Sequence, residues 1–199
     1  MAQPSTYRIL GIDPGTRALG YAVIEIDRQF QAKVIVEGTC TPPARASISS
    51  RLHAIFVELC DVIASHSPEV VAVEEVFFSK NVRSALRLGE SRGVVFVAAA
   101  SAELAVHEYP PATVKQAVTG NGRASKIQVQ SMVTRLLGLA RPPSSPDAAD
   151  AIALAFCHAQ RLRTGAALTP PRKKRGAGGR GVSRKALQGL LDRINQGAD

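Results

Sequence analysis

Four carboxylates in this sequence could bind a metal ion and support hydrolytic chemistry. Asp13 and Glu74 each end an apolar run, and Asp147 and Asp150 lie three residues apart in an alanine-rich stretch. An apolar run that ends in an acid is typical of a buried strand, and a charge at the rim of a sheet is costly unless it is paired or binds a cation. Without a nearby cluster of His or Cys, such carboxylates favour a hard divalent ion such as Mg²⁺. The pattern predicts metal-dependent phosphodiester chemistry.

Each of these acids also has a purely structural explanation. Asp147 and Asp150 would share one face of a helix, and acids in a first helical turn are stabilised by capping and by the helix dipole. Asp13 precedes Pro-Gly and would suit a turn. Glu74 is harder to explain in this way, because the apolar residues 70–73 give it a buried strand to end. The prediction therefore depends on the four acids together.

The positive charge of the chain is concentrated towards its C-terminal end. The net charge is +9, and residues 161–199 contain ten Lys and Arg against two acids, so residues 1–160 are almost neutral. A basic extension beside an acidic site favours a polyanionic substrate, with nucleic acid the first choice. We expect nonspecific DNA contact from the basic residues of this tail, which are Arg172, Lys173, Lys174, Arg175, Arg180, Arg184 and Lys185.

Length, hydropathy and cysteine content restrict the class of protein further. The 199 residues fit one domain of ordinary size plus an appendage. No apolar stretch approaches the length that spans a bilayer, and the first residues do not resemble a signal peptide. Cys40, Cys60 and Cys157 are odd in number and widely separated, which suits a reducing cytosol better than a disulfide framework or a zinc site. We expect a cytoplasmic protein with no membrane partner.

The order of the predicted elements indicates a mixed α/β fold. Three strands with short connections come first and are typical of an antiparallel meander. Helices and strands then follow without the strict alternation of a doubly wound parallel sheet. The predicted strands cover residues 7–12, 20–26, 33–39, 70–75 and 104–109, and the predicted helices cover residues 49–66, 81–103, 112–118, 125–137 and 147–163.

Composition divides the chain near residue 163. Gly, Pro and basic residues dominate the segment from 164 to 180, as in a flexible linker. An apolar repeat at helical spacing then predicts a short helix over residues 183–196, and a disordered solubilising tail is the alternative. We expect one domain over residues 1–163 and a basic tail over residues 164–199.

Several short motifs follow one another in a fixed order within residues 7–160. The first two are ILGIDPGTR at residues 9–17, with Gly20-Tyr21, and AVEEVF at residues 72–77, followed by Lys80-Asn81. The others are Ser84-Ala85-Leu86, Leu88-Gly89, Arg92-Gly93, Val114-Lys115-Gln116, Lys126, Gln128-Val129-Gln130 and Asp147-Ala148-Ala149-Asp150-Ala151. In order and spacing, this set closely resembles the bacterial Holliday junction resolvase family RuvC.

The resemblance implies a fold, an activity and a set of partners. The fold is ribonuclease H-like, with a five-stranded mixed sheet whose first three strands are antiparallel and with helices on its faces. The activity is Mg²⁺-dependent resolution of four-way DNA junctions by paired symmetric nicks that leave 5′-phosphates, in recombination and repair. The resemblance also implies two Mg²⁺ ions per site with Mn²⁺ as a substitute, a homodimer formed through the helix around residues 82–100, and a branch-migration helicase as partner.

The resemblance further assigns roles to single residues. The catalytic and metal-binding set is Asp13, Glu74, Asp147 and Asp150, and the residues assigned to DNA binding are Phe77, Lys80, Arg83, Lys115 and Lys126. Phe77 matches an aromatic that lies close to the junction, so we expect Phe77 to be exposed and Phe78 to be buried. Glu75 is often an amide in the family, and strand alternation places it on the opposite face from Glu74.

Three other functions are compatible with parts of this pattern. A related ribonuclease H-like nuclease would cut RNA–DNA hybrids or structured RNA. A junction-binding module that does not cut is a second alternative, although four intact carboxylates argue against it. The sequence from Asp13 to Thr16 also resembles the phosphate loop of sugar kinases and actin-like ATPases. The chain is too short for the two domains of those ATPases, and residues 110–165 contain no second glycine-rich phosphate motif.

Overall fold

The computed structural model describes residues 6–75 and 82–165, except for the side chain of Arg83. The ten elements predicted within residues 7–163 are all present and follow the predicted order. The strands are β1 (Thr6–Asp13), β2 (Leu19–Asp27), β3 (Ala32–Cys40), β4 (Val70–Glu74) and β5 (Ala105–Tyr109). The helices are α1 (Ile48–His66), α2 (Val82–Ser101), α3 (Pro111–Thr119), α4 (Lys126–Leu136) and α5 (Pro146–Arg163). Phe77, Phe78, Lys80 and the basic tail with its predicted helix lie outside the described residues.

The five strands form one mixed sheet in the order β3-β2-β1-β4-β5. The first three strands are antiparallel neighbours, as their short connections predict. β4 lies parallel to β1, and β5 lies parallel to β4. Strand β1 is therefore the central strand, with an antiparallel neighbour on one side and a parallel one on the other. This arrangement confirms the predicted five-stranded mixed sheet.

Helices cover both faces of the sheet because alternate side chains of the central strands point in opposite directions. Ile9 and the buried residues of α3, α4 and α5 belong to one hydrophobic core. Leu10 and Ile12 belong to the other core, with buried residues of α1 and α2. Since both faces of β1 and β4 are covered, their sequences are almost continuously apolar up to the acid at each end.

Three predicted boundaries shift for local reasons. Strand β4 ends at Glu74, one residue before the predicted end. Helix α2 ends at Ser101, because Glu103 adopts the left-handed conformation with φ of 57° and so cannot continue a helix. Pro111 does not simply stop β5 but begins α3, where a proline fits because the first helical N–H needs no partner.

The three cysteines lie on three different elements, β3, α1 and α5. All three cysteines are free. Cys60 and Cys157 are buried, whereas Cys40 is half-buried because it ends the edge strand β3. No helix in residues 6–75 and 82–165 is long and apolar enough to cross a bilayer.

Candidate active site

The sheet places Asp13 and Glu74 side by side. Each is the last residue of its strand, and β1 and β4 are parallel neighbours in which Ile12 pairs with Val73. The next residue along each strand is the acid, so the two carboxylates leave the same edge of the sheet. Arg92 of α2 donates a hydrogen bond to the backbone carbonyl of Glu74 and fixes the end of β4.

Helix α5 delivers the other two carboxylates to this edge in its first turns. Ser145 caps the helix by accepting a hydrogen bond from the Ala148 N–H at 3.0 Å, so Asp147 lies in the first turn and Asp150 one turn later. The preceding loop is attached to β3: Ser144 Oγ donates to Glu37 Oε2 at 2.6 Å. A second bond of 2.5 Å joins the hydroxyls of Thr39 and Ser145. The start of α5 is thus held to the sheet by side chains.

Two glycines in the sheet allow α5 to approach closely. A Cβ on Gly20 would lie 2.0 Å from the Asp147 carbonyl oxygen, and a Cβ on Gly11 would lie 2.0 Å from the carbonyl oxygen of Ala151. Gly20 pairs directly with Asp13 across β1 and β2. Any side chain at residue 20 would therefore separate the helical carboxylates from the strand carboxylates.

Five of the predicted site residues line one cavity of about 190 Å³. Asp13, Glu74 and Asp150 line it together with Lys115 of α3 and Lys126 of α4. Asp147 lines a larger adjoining groove that also reaches Asp13. The structure thus brings together all four predicted acids and two of the five residues assigned to DNA binding. Phe77 and Lys80 lie outside the described residues, as does the side chain of Arg83.

The environment of the site opposes the ionisation of Asp13 and Glu74. Burial is the main reason that the pKa of Asp13 is raised to about 7, and the neighbouring charges of Asp150, Glu74 and Asp147 raise it further. Lys126 partly offsets this effect. Burial and Asp150 also raise the pKa of Glu74 above its ordinary value. A cation among these oxygens would remove the repulsion, since opposite charge favours the ionised form.

Lys126 supplies one positive charge at the site. Its Nζ donates a hydrogen bond of 3.0 Å to Asp150 Oδ2, and this contact raises the pKa of Lys126. The Lys126 side chain is 72% exposed. An exposed ion pair of this kind contributes little to stability, typically about 0–1 kcal/mol. Lys126 can therefore exchange Asp150 for another anion at low cost.

The donor chemistry of the site fits a hard divalent cation. Asp13, Glu74 and Asp150 offer only carboxylate oxygens, which suit Mg²⁺ or Mn²⁺ better than a softer metal. Within the described part of the chain, no three acidic, imidazole or thiol side chains yet stand close enough to enclose one ion. Burial and the neighbouring carboxylates together raise the pKa of Asp13, so small side-chain movements towards a cation would be favourable.

Glu75, Arg92 and Arg51 lie near the site but were not assigned to it from the sequence. Glu75 does not line the cavity of Asp13 and Glu74, although it follows Glu74 directly. Sequence reasoning gave no role to Arg92, which holds the end of β4. It also missed Arg51, which donates a hydrogen bond from α1 to the Thr16 carbonyl in the loop after Asp13. The signal for Arg51 was its helical phase with the buried residues Ile55 and Leu59.

Comparison with known proteins identifies the family. The model of the family described as crossover junction endodeoxyribonuclease RuvC matches residues 9–158. The chain belongs to the RuvC family. RuvC of Heliobacterium modesticaldum is 50% identical over 159 residues, which cover 80% of this chain and 98% of that protein. RuvC of Koribacter versatilis is 47% identical over 162 residues, which cover 81% of this chain and 96% of the relative.

Solved structures of the family confirm the fold. The structure of Thermus thermophilus RuvC in complex with a Holliday junction substrate is 35% identical to this chain, with a TM-score of 0.75. The match covers 80% of this chain and 96% of the T. thermophilus chain. The ribonuclease H-like fold is therefore confirmed, and membership of a nuclease family implies dependence on a divalent metal ion.

Proposed function

We propose that this protein is a metal-dependent endonuclease that resolves four-way DNA junctions by paired symmetric nicks. One observation carries the proposal: the chain of a RuvC family member folds so that Asp13, Glu74, Asp147 and Asp150 converge at one edge of the sheet. A module that only binds junctions would have no need to bury mutually repelling acids, because burial of unpaired charge costs stability. The four carboxylates are therefore best explained as catalytic residues.

These residues would hold two Mg²⁺ ions, with Mn²⁺ as a substitute. Bound divalent cations supply positive charge to the scissile phosphate and lower the pKa of the attacking water. The protein's own contribution is the orientation of the carboxylate oxygens, which the ends of β1 and β4 and the start of α5 determine. We assign Asp13 the central position, because it lines both the small cavity and the adjoining groove.

Lys115 and Lys126 would stabilise the reacting phosphate. Both line the same cavity as Asp13 and Glu74, and a positioned cation at the place where charge develops lowers the barrier of a hydrolytic step. Lys126 can turn from Asp150 to a phosphate oxygen because its present ion pair is largely exposed. The expected products carry 5′-phosphate ends.

A homodimer would supply the second nick, since a two-fold dimer presents two identical sites to a substrate with approximate two-fold symmetry. Exposed apolar residues along α2 support this proposal: Val82 is 71% exposed, Leu86 is 65% exposed and Val97 is 57% exposed. Gly89 and Gly93 lie between them, and a Cβ at either glycine would meet no atom of another described element within 4 Å. Spacings of three and four residues place all five on one stripe of the helix. This stripe would allow two α2 helices to approach closely.

The biological setting is proposed from family membership alone. We infer a role in homologous recombination and DNA repair in the cytoplasm of the cell, together with a branch-migration helicase. Co-purification of such a helicase with the protein on a four-way junction would test this partner. Separate migration of the two proteins on junction DNA would contradict it.

The proposed function predicts a specific pattern of cleavage. The protein is incubated with a synthetic four-way junction, a linear duplex and an RNA–DNA hybrid, each with Mg²⁺ or EDTA, while sedimentation measures its oligomeric state. We expect a dimer, and paired symmetric nicks confined to the junction and to the Mg²⁺ reactions. Cleavage of the hybrid alone would indicate a ribonuclease activity instead. Junction binding without any nick would indicate a binding module, and a monomer that cuts only once would remove the dimer from the proposal.

A second prediction concerns the basic tail over residues 164–199, which we propose tethers the enzyme to the duplex arms. Deletion of residues 165–199 should weaken junction binding and flatten its dependence on salt, because each phosphate contact contributes about 0.9 to the slope of log K against log salt concentration. The measurement is a binding isotherm at several salt concentrations for the full chain and the truncated chain. An unchanged slope would show that the tail does not touch DNA.

A further inference from the structure

A second groove adjoins the carboxylate site and has a different character. It has a volume of about 1310 Å³ and shares Asp13 with the smaller cavity. Its walls come from the loop after β1, the residues after β3 and the first turns of α1 and α2, and three arginines line it: Arg17, Arg51 and Arg87. The lysines of the smaller cavity do not belong to it. The acids of the site thus lie between two sets of basic side chains.

Arg51 is the unusual member of this set. Only 7% of the residue is exposed, although arginine is seldom fully buried without a partner of opposite charge. Its Nη2 donates to the Thr16 carbonyl, but its Nε finds no hydrogen-bond partner among the residues that the structure describes. None of the ion pairs among the described residues includes Arg51. Burial of the guanidinium costs desolvation free energy, and no neighbouring anion in that part of the chain offsets this cost by electrostatic attraction.

The backbone around Arg51 adds further positive potential. Arg51 lies in the first turn of α1, and this first turn contains no acidic residue. The start of a helix is its positive end, so a basic residue there is unfavourable and an anion is favourable. Ser47 caps the helix with its own hydroxyl, which accepts a hydrogen bond from the Ser50 N–H at 3.1 Å. The groove therefore combines a helix start with a buried arginine that has no anionic partner among the described residues.

We propose that Arg51 binds a backbone phosphate of the DNA strand, adjacent to the phosphate that is cut at Asp13. This inference rests on the proposed function, since it takes the substrate to be DNA. The planar guanidinium fork matches the geometry of a phosphate. Arg17 and Arg87 are exposed on the groove and strengthen its positive field. Asp13 and Asp147 would repel a phosphate beside them, which leaves the arginines as the place where it binds.

The contact has a second effect because Arg51 touches the loop that follows Asp13. Arg51 joins α1 to the Thr16 carbonyl, and Ser91 of α2 donates a hydrogen bond of 3.1 Å to the Gly15 carbonyl in the same loop. A phosphate held by Arg51 would therefore be fixed relative to the strand end that carries Asp13. Arg51 would therefore contribute to DNA binding and would help to determine which phosphate along the strand is cut.

A scan with neutral phosphate analogues tests this contact. Single methylphosphonates are placed at successive positions around the crossover of a four-way junction, and dissociation constants are measured in EDTA. For the wild type we expect one neutralised phosphate beside the cut to weaken binding about 10- to 100-fold, as for one lost charged hydrogen bond. Arg51→Gln should weaken binding to unmodified DNA to a similar degree and should show no further loss at that phosphate.

The control and the contrary results are equally specific. Arg163→Gln removes one exposed arginine near the far end of α5 and should keep the wild-type profile. If Arg51→Gln does not fold, Arg51→Lys, which keeps the charge, replaces it in the experiment. Neutralisation of the sensitive phosphate should then weaken binding less in Arg51→Lys than in the wild type. A wild-type profile in both Arg51 variants would overturn the inference and leave Arg51 a structural residue.

Failure of the proposed function would look different. In that case the wild type would leave the junction uncut in Mg²⁺. The binding scan on the junction in EDTA would still decide whether Arg51 contacts a phosphate, because it does not depend on cleavage.

Discussion

Asp13→Asn should abolish junction cleavage while making the metal-free protein more stable. Loss of one charged oxygen at the centre of the site removes a metal ligand, and we expect cleavage to fall by about 10³-fold or more, at the upper end of what one electrostatic group contributes. The same change removes a buried carboxyl whose pKa is raised to about 7. The rise from the ordinary value of 3.8 spans about three pKa units, and each unit corresponds to about 1.4 kcal/mol, so the free energy of unfolding in EDTA at pH 7 should increase by about 4 kcal/mol.

The pH dependence of stability gives an independent measurement of this effect. The folded protein keeps a proton on Asp13 that the unfolded chain has already released between about pH 4 and pH 7. The folded state therefore binds more protons in that range, and the free energy of unfolding falls as pH rises. Thermal melts in EDTA should show this fall in the wild type and a smaller one in Asp13→Asn.

Asp61→Asn is the matched control, because Asp61 is exposed on α1 and lines neither the cavity nor the groove. It should cut junctions at the wild-type rate. Normal cleavage by Asp13→Asn would show that the metal site lies elsewhere. Equal stability of Asp13→Asn and the wild type in EDTA would show that burial and the neighbouring acids do not oppose ionisation of Asp13 in the folded protein.

Gly20→Ala should damage both the fold and the activity, although it adds only one methyl group. That methyl would lie 2.0 Å from the Asp147 carbonyl oxygen, which belongs to the backbone of α5 and cannot rotate away. Helix α5 must shift, and overpacking of this kind costs about 1–3 kcal/mol. Cleavage should fall about 10²-fold, because a displacement near 1 Å is enough to misplace catalytic groups. Chemical denaturation and junction cleavage measure the two effects.

Gly122→Ala is the control for Gly20→Ala. Gly122 lies in the turn between α3 and α4, and a Cβ there would meet nothing closer than 3.1 Å. We expect a change of less than about 1 kcal/mol in stability and no change in cleavage rate. Normal cleavage by Gly20→Ala would mean that α5 can move without disturbing Asp147 and Asp150.

Much of this molecule could be predicted from its sequence, because the local patterns agree with the fold. The apolar runs that end in Asp13 and Glu74 predicted two buried strands, and β1 and β4 are those strands. The pairing of β1 with β4 could not be read from periodicity, since it joins residues about 60 positions apart. It became an expectation only through the resemblance to a known family.

The groove lined by Arg17, Arg51 and Arg87 could not be predicted from the sequence. Arg51 belongs to none of the motifs that resemble the family. Its helical spacing from the buried residues Ile55 and Leu59 indicates that it is buried, but not which group it binds. The orphaned Nε becomes visible only when α1, α2 and the loop after β1 are packed together. The closeness of α5 to Gly11 and Gly20 is likewise a property of packing, because a glycine in a strand has several explanations.

The late position of α5 in the chain has a consequence for the newly made protein. Chains fold from the N-terminus as they leave the ribosome, and all five strands precede residue 110. A nascent chain can therefore assemble its whole sheet while it holds only Asp13 and Glu74. The second pair of acids arrives with α5, more than 130 residues after Asp13. Helix α5, the last helix among the described residues, therefore completes the catalytic site, and a chain that has not yet reached it has the sheet without nuclease activity.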